Sequence, residues 1–138
     1  MAGEHKDYSA TPLWKKLGIR EGSRVALVGA PERLSLGFLP PGVELLTRAT
    51  KDLDVVVLFT SRVADLEKRF GKLVAALDPA GRLWVAWPKK ASKMHTDLDF
   101  EAVQRTGLSA GLVDNKSASV DEVFQGLQFV YRLRDRPH

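Results

Sequence analysis

The sequence predicts a three-layer α/β domain whose mostly parallel sheet ends in an antiparallel hairpin. The runs VALV at 25–28, LDVVVLF at 53–59 and LWVAW at 83–87 are almost continuously apolar, as strands buried on both faces of a parallel sheet usually are. Segments with helical spacing of apolar residues separate the later strands. The last two strand-like segments, 111–120 and 123–133, are joined by only two residues, which favours an antiparallel hairpin.

The composition indicates one globular domain without disulfide, thiol or zinc-finger chemistry. The 138 residues are 44% hydrophobic and 28% charged, and none is cysteine. That length suits a single packed core, which we place at residues 11–138, after a flexible polar arm at residues 1–10. No apolar run approaches the roughly 20 residues of a membrane span, and no signal sequence opens the chain. We therefore expect a cytoplasmic protein with neither a membrane segment nor a metal site.

The charge balance favours an anionic partner. Lysine and arginine number 21 against 17 aspartate and glutamate residues, so the net charge is +4. An excess of this size attracts anions such as nucleotides and acidic metabolites. The basic segment RLRDRPH at 132–138 is more typical of a solvated tail than of a nucleic-acid interface. We therefore expect an anionic small molecule as the partner rather than nucleic acid.

The first predicted element is a short helix. Thr11 can cap it, Pro12 suits its first turn and Gly18 suits a left-handed exit. The residues expected on its buried side are Leu13, Trp14 and Leu17. A strand over 24–28 follows, and then about two helical turns over 31–36.

The second and third strands are predicted to flank the first. Proline and glycine at 40–42 stop the chain before VELLT at 43–47, and only RATKD links this segment to the strand at 53–59. A parallel neighbour normally needs a crossover of about a dozen residues. The strand at 53–59 is therefore expected on the other side of the first strand.

The longest predicted helix begins after Ser61, which is placed to cap it. Asp65 and Arg69 are four residues apart on its outer side, where opposite charges attract. The apolar residues that share one face of the helix are Leu66, Phe70, Leu73, Val74 and Leu77. The core therefore lies against this face.

The remaining elements alternate strand and helix. The turn DPAG at 78–81 leads into the strand at 82–87. Thr96 and Asp99 resemble a capping box that opens a helix ending near Gly107. The lysine-rich segment between them therefore connects a buried strand to the start of a helix.

The order of these elements resembles that of class I S-adenosylmethionine-dependent methyltransferases over residues 22–133. RVALVG at 24–29 looks like their first strand with its glycine, LDVVVLF at 53–59 like their fourth strand, and LDPAGRLWVAW at 77–87 like the turn and fifth strand. The resemblance implies a Rossmann-like, methyltransferase-like fold and makes S-adenosylmethionine a candidate cofactor.

Three departures from the methyltransferase pattern leave the cofactor open. Gly29 is followed by APE rather than by further glycines that would let the backbone approach a cofactor. Thr47 and Arg48 follow the second strand, where the family tends to carry an acidic residue for the ribose. No Asp-Pro-Pro-aromatic motif follows a strand, so the constellation of base-methylating enzymes is missing.

Three short motifs resemble a family of small bacterial proteins that has no established activity. They are YSATPLWKKLGI at 8–19, VGAPE at 28–32 and WPKKAS at 87–92. Their wide separation makes the resemblance specific. It implies no reaction and no ligand.

The candidate binding site lies where the parallel strands end. Open α/β sheets bind ligands beyond the carboxyl ends of their strands, and lysines together with a helix start favour an anionic group there. The candidate residues are Gly29, Ala30, Pro31, Glu32, Thr60, Ser61, Trp87, Lys89, Lys90, Ser92, Lys93 and His95.

Each of these residues also has a purely structural interpretation. Tryptophan at 84 and 87 falls on opposite faces of one strand, as core packing on both sides requires. Adjacent lysines after a strand are commonly solvated. His95 could act as a general base only with an orienting partner, for which Asp97 and Asp99 are near in sequence. No catalytic residue is assigned.

The sequence alone favours a non-catalytic Rossmann-like protein that binds an anionic small molecule or partner at the carboxyl edge of its sheet. One alternative is a divergent S-adenosylmethionine-dependent methyltransferase. Another is an interaction module that forms homo-oligomers through the terminal hairpin.

Overall fold

Residues 11–137, which the computed structural model describes, form one six-stranded sheet covered by helices. The strands are β1 (Arg24–Val28), β2 (Glu44–Leu46), β3 (Leu53–Phe59), β4 (Leu77–Pro88), β5 (Val113–Ser119) and β6 (Phe124–Val130). The α-helices are α1 (Leu13–Leu17), α2 (Val63–Ala76) and α3 (Phe100–Ser109). The predicted arm at residues 1–10 lies outside the described residues.

The sheet order is β2-β1-β3-β4-β6-β5, which confirms the predicted fold class. Strands β1 to β4 run parallel, and β6 is antiparallel to both β4 and β5. Ala26 of β1 pairs with Leu46 on one side and with Val56 on the other. The chain thus leaves β1 for β2 and returns to the opposite side for β3, as the short link between them predicted.

Two apolar layers cover the sheet, one on each face. The two-helix face carries α2 and α3, whose buried residues include Leu66, Phe70 and Val103. The α1 face carries α1 and the irregular segment 30–43. Trp84 packs on the α1 face and Trp87 on the two-helix face, so the predicted division of the two tryptophans is confirmed.

The predicted helical turns over 31–36 are wrong, because this segment forms only one turn, closed by Leu34 N–H donating to the Pro31 carbonyl at 3.0 Å. Tertiary contacts hold the rest of this segment in an irregular path instead. The carbonyl of Leu36 accepts the Trp14 N–H at 3.0 Å, and the Leu36 side chain is buried. Gly37, at φ 92°, then turns the chain beside α1.

The predicted helix caps are also partly wrong. The cap position of α2 is Arg62, and the Val63 N–H donates to Oδ1 of Asp97, at 2.7 Å, from a distant segment. The cap of α3 is Asp99, whose carboxylate accepts the Ala102 N–H at 2.8 Å. Helix α1 likewise has Pro12 rather than a threonine at its cap position. The role that the local pattern assigned to Ser61 is thus taken by the distant Asp97, and the role assigned to Thr96 is taken by its near neighbour Asp99.

The DPAG segment is a bulge within β4 rather than a turn before it. Leu77 pairs with Leu53, and after a register shift Arg82 pairs with Val55. Asp78 accepts the Ala80 N–H at 2.9 Å inside the bulge. A Cβ on Gly81 would lie 2.8 Å from the Leu53 carbonyl, so the bulge needs glycine at this close approach.

Candidate functional site

The carboxyl ends of β1, β3 and β4 lie side by side at one edge of the sheet. Val28 pairs with Leu58, and Phe59 pairs with Ala86. The segments that leave these strands, 29–32, 60–62 and 88–95, therefore start along the same edge. The structure thus places the predicted candidate residues along one edge of the molecule.

Gly29 stands where β1 and β3 end next to each other. Its φ is 74°, and a Cβ there would lie 2.9 Å from the Phe59 carbonyl oxygen. Only glycine satisfies both the left-handed conformation and the close approach. The chain leaves β1 and β3 in different directions at this point, which makes it the switch point at which open α/β sheets accept ligands.

A shallow apolar hollow of about 390 Å³, here named the β1 hollow, adjoins Gly29 on the α1 face. Its apolar lining residues include Leu27, Ala30, Pro31, Leu34, Leu39 and Leu45. Glu32, which follows Pro31 in the segment 29–32, is exposed and forms no ion pair with any residue from 11 to 137. The segment 29–32, of sequence GAPE, therefore offers mainly apolar surface.

Thr60 and Ser61 hold neighbouring segments together. The buried Thr60 hydroxyl donates to Asp65 at 2.7 Å. That hydrogen bond, followed by one from Arg69, holds the pKa of Asp65 below its ordinary value of 3.8. The Ser61 carbonyl accepts the Thr96 hydroxyl at 2.7 Å. Both residues therefore order the edge, and the buried Thr60 hydroxyl is committed to its hydrogen bond with Asp65.

Lys89 anchors the terminal hairpin. Its ammonium donates to the Ser119 hydroxyl and to the Asp121 carbonyl, both at 2.7 Å, and its backbone N–H donates to the Val123 carbonyl at 2.7 Å. No carboxylate from residues 11–137 neutralises this charge. Lys89 therefore has a structural role and still contributes positive charge to the edge.

Lys90 and Lys93 differ from Lys89 because both are exposed and form no side-chain hydrogen bond or ion pair within residues 11–137. Lys93 adopts φ 61°, a left-handed conformation at the end of a short 3-10 turn. Ser92 stabilises the same turn, since its hydroxyl donates to the Lys89 carbonyl at 2.7 Å. The ammonium groups of Lys90 and Lys93 are therefore free to meet a ligand.

His95 is exposed, and neither neighbouring aspartate orients it. Asp97 accepts the Val63 N–H at 2.7 Å, and Asp99 accepts the Ala102 N–H at 2.8 Å. A histidine base needs a group that fixes its tautomer and direction. The geometry therefore gives no support to His95 as a general base.

A groove of about 750 Å³, here named the lysine groove, lies between the end of β4, the start of α3 and the terminal hairpin. The residues that give it its chemistry are Trp87, Lys89, Lys90, Leu98, Phe100 and Glu101. The ring of Phe100 is 46% exposed, whereas Trp87 and Leu98 are buried in its floor. The groove thus combines an apolar base with positive charge at one side.

Sequence reasoning missed Phe100, Glu101 and the hairpin wall of this groove. Phe100 carried a signal, because it precedes the buried Val103 by three residues on the same side of α3. The hairpin residues Ser117, Ser119 and Gln125 carried none, since only the pairing of β5 with β6 brings them to the groove.

Within residues 11–137, no group of three His, Asp or Glu side chains is arranged to hold a metal ion. None of the helices in this part of the chain has the length and apolarity needed to span a membrane.

The strand order and the glycine at the switch point define a methyltransferase-like Rossmann fold, and solved structures share it. Magnesium protoporphyrin IX methyltransferase from Synechocystis, solved with bound S-adenosylmethionine, has a TM-score of 0.58 and 11% identity over 81% of this chain and 71% of its own. A TehB-like S-adenosylmethionine-dependent methyltransferase from Corynebacterium glutamicum has a TM-score of 0.56 and 11% identity over 95% of both chains.

A third methyltransferase, from Aquifex aeolicus, has a TM-score of 0.52 and 16% identity over 85% of this chain and 86% of its own. Identities this low establish the fold alone. No protein-family model matches the chain, and no curated protein sequence matches it either. The fold implied by the methyltransferase resemblance is confirmed, and the resemblance to the small bacterial family stays a prediction.

Proposed function

We propose that this chain is a divergent S-adenosylmethionine-dependent methyltransferase that acts on a small molecule with an anionic group. The proposal ranks the methyltransferase hypothesis above the non-catalytic one that the sequence alone favoured. The observation that supports it most is the switch point at Gly29, within a sheet that solved S-adenosylmethionine-dependent methyltransferases share.

The residues at the switch point fit the apolar part of this cofactor. The β1 hollow has leucine walls from Leu27, Leu34 and Leu45, which suit an adenine ring. After β2, Thr47 offers a hydroxyl for the ribose where a carboxylate would bind more strongly. When bound, S-adenosylmethionine supplies a methyl group activated by its sulfonium. The missing carboxylate leads us to expect weak cofactor binding.

The lysine groove supplies the features that an anionic acceptor requires. The Lys90 ammonium is exposed and unpaired among the described residues, so it can bind a carboxylate or phosphate. The exposed ring of Phe100 can cover an apolar body beside it. This groove begins at the exit of β4, on the same sheet edge as the β1 hollow.

Cofactor binding is tested by isothermal titration with S-adenosylmethionine and S-adenosylhomocysteine. Leu45→Arg places a charge in the β1 hollow, and Leu45 is already 46% exposed, so the fold should tolerate it. Leu108→Arg is the matched control, because Leu108 is 47% exposed on α3 and lies outside the β1 hollow.

The expected result is saturable binding that Leu45→Arg abolishes and Leu108→Arg preserves. Wild-type protein that binds neither nucleoside, while remaining folded by circular dichroism, would remove the methyltransferase proposal. Equal losses in both variants would show that the β1 hollow is not the cofactor site.

A non-catalytic protein that binds an anionic molecule is the second candidate. The single glycine at the switch point and the absence of a carboxylate after β2 favour it. Native mass spectrometry of wild-type protein, of Lys90→Ala and of the exposed-lysine control Lys72→Ala separates the two. An acidic ligand that Lys90→Ala alone loses, in a protein that ignores S-adenosylmethionine, would establish the second candidate instead.

A further inference from the structure

A polar hollow lies at the amino end of the sheet, away from the edge that carries the apolar β1 hollow. It has a volume of about 270 Å³ and lies between the segment 18–23 and the bulge of β4. Its charged lining residues are Arg20, Glu21, Asp54 and Arg82. No residue of the proposed cofactor or acceptor sites lines this hollow.

Arg82 is held in this hollow by its backbone position. It is the first residue of β4 to pair with β3 after the bulge, opposite Val55. Its side chain crosses Gly18, and a Cβ on Gly18 would collide with the guanidinium. The left-handed glycine that ends α1 therefore also makes room for Arg82.

The guanidinium of Arg82 is partly buried and has no partner among the residues that the structure describes. It forms no hydrogen bond or ion pair with any residue from 11 to 137, and the same is true of the Arg20 guanidinium. Arg24 and Arg69 differ, since they pair with Glu44 at 3.1 Å and with Asp65 at 2.8 Å. A guanidinium carries five N–H donors and cannot lose its charge in a protein. Arg82 thus has N–H donors that no residue from 11 to 137 uses, at a partly buried position.

Arg20 and Arg82 line the same hollow, where their like charges repel each other. Burial first, and then the positive charge of Arg20, lower the pKa of Arg82. Neither nearby carboxylate relieves this repulsion through an ion pair among the described residues. The Asp54 carboxylate instead accepts the backbone N–H of Arg24 at 2.8 Å, and the Glu21 side chain is exposed. The hollow therefore holds two cations that an anion could bridge.

We propose that Arg20 and Arg82 bind a phosphate group, either free phosphate or the end of a phosphomonoester. Planar guanidinium groups bind phosphate oxygens through two parallel N–H bonds, and two arginines can divide the oxygens between them. The Ser23 hydroxyl lines the same hollow and accepts a hydrogen bond from the backbone N–H of Arg20 at 2.9 Å. The hydroxyl proton of Ser23 can therefore be donated to the ligand. The bound phosphate removes the repulsion between the arginines.

The proposal is tested on the full chain by titration with inorganic phosphate and with phenyl phosphate at constant ionic strength. Binding is followed by calorimetry and by the NMR signals of the arginine Nε–H groups. Arg20→Gln and Arg82→Gln each remove one guanidinium from the hollow. Arg134→Gln is the control, because it removes the same charge from a side chain that is 76% exposed and distant in sequence.

We expect saturable phosphate binding that each hollow variant weakens about tenfold and that the control leaves unchanged, since each removes charge-assisted hydrogen bonds. Arg20 is exposed, so Arg20→Gln should fold even if Arg82→Gln does not. Tighter binding of phenyl phosphate than of phosphate would assign a phosphomonoester, and equal binding would assign the free ion. Phosphate binding that is absent, or that Arg134→Gln weakens as much as Arg20→Gln, overturns the proposal.

Discussion

The two faces of the sheet are covered in different ways. On the two-helix face, α2 and α3 lie over the strands, and the rings of Phe70 and Phe129 meet edge to face at 5.9 Å. On the α1 face, a five-residue helix and an irregular segment cover the strands. There the Trp84 indole N–H donates to the Leu17 carbonyl at 3.0 Å. The first face is packed by regular helices, whereas the second depends on a few specific anchors.

This difference matters for the proposed sites because each face borders one of them. The β1 hollow is lined by the irregular segment of the α1 face, and the lysine groove by the start of α3. An irregular cover can change in sequence without breaking a helix.

Loss of the Trp84 anchor should give the largest effect. Trp84→Ala should lower the free energy of unfolding by about 3 to 5 kcal/mol, because it empties a fully buried site and leaves the Leu17 carbonyl without its donor. Trp84→Phe keeps a ring and should cost about 1 to 3 kcal/mol for the unsatisfied carbonyl. Urea unfolding measures both. A cost for Trp84→Phe near zero would contradict the dependence of the α1 face on this anchor.

The two-helix face is tested through two helical glycines. Gly107→Ala should destabilise by about 1 to 3 kcal/mol, because its Cβ would collide with the Phe129 ring. Gly71→Ala is the matched control on α2, where nothing lies near the added methyl, and it should stabilise by about 0.5 to 1 kcal/mol. Thermal unfolding gives both values. Stabilisation by both changes would show that α3 packs less closely against the sheet than described.

Adjacent lysines at the edge of the sheet should behave differently. Lys89→Ala should cost about 1 to 3 kcal/mol, since it removes both hydrogen bonds from the ammonium to the hairpin. Lys90→Ala should change stability by less than about 0.5 kcal/mol, because its ammonium is exposed and unpaired within residues 11–137. Chemical denaturation of the two variants measures this contrast. Equal stability of the two variants would show that the hydrogen bonds of the Lys89 ammonium contribute nothing to stability.

The smallest effect is the pH dependence contributed by Asp65 on the two-helix side. The hydrogen bonds from Thr60 and Arg69 lower its pKa in the folded state, so its contribution is fully present above its ordinary value of 3.8. It is lost as the pH falls through the lower, folded pKa. Asp65→Asn should remove less than about 1 kcal/mol at neutral pH, because the pair with Arg69 is partly solvated. The difference between wild type and variant should vanish in acid, and a difference that grew there would have the wrong sign.

Much of the fold could be predicted because its signals are local. The apolar runs of β1 and β3, the pair of Asp65 and Arg69 on α2 and the order β2-β1-β3 all follow from patterns or link lengths within a few residues. The candidate site was predicted only as an edge. Which of its side chains are free, as at Lys90, and which are committed, as at Lys89, depends on a hairpin about thirty residues further along the chain.

The sequence by itself determined where the central part of each strand lies, that the strands form a mostly parallel sheet and that its carboxyl edge carries lysines. Only the tertiary structure decided the path of residues 31–36, the hydrogen bond by which Asp97 caps α2 and the walls of the lysine groove. It alone left Arg82 without a partner in the described chain. The reason is physical: burial and periodicity act over a few residues, whereas the partner of a polar group is chosen by whichever segment folding brings beside it.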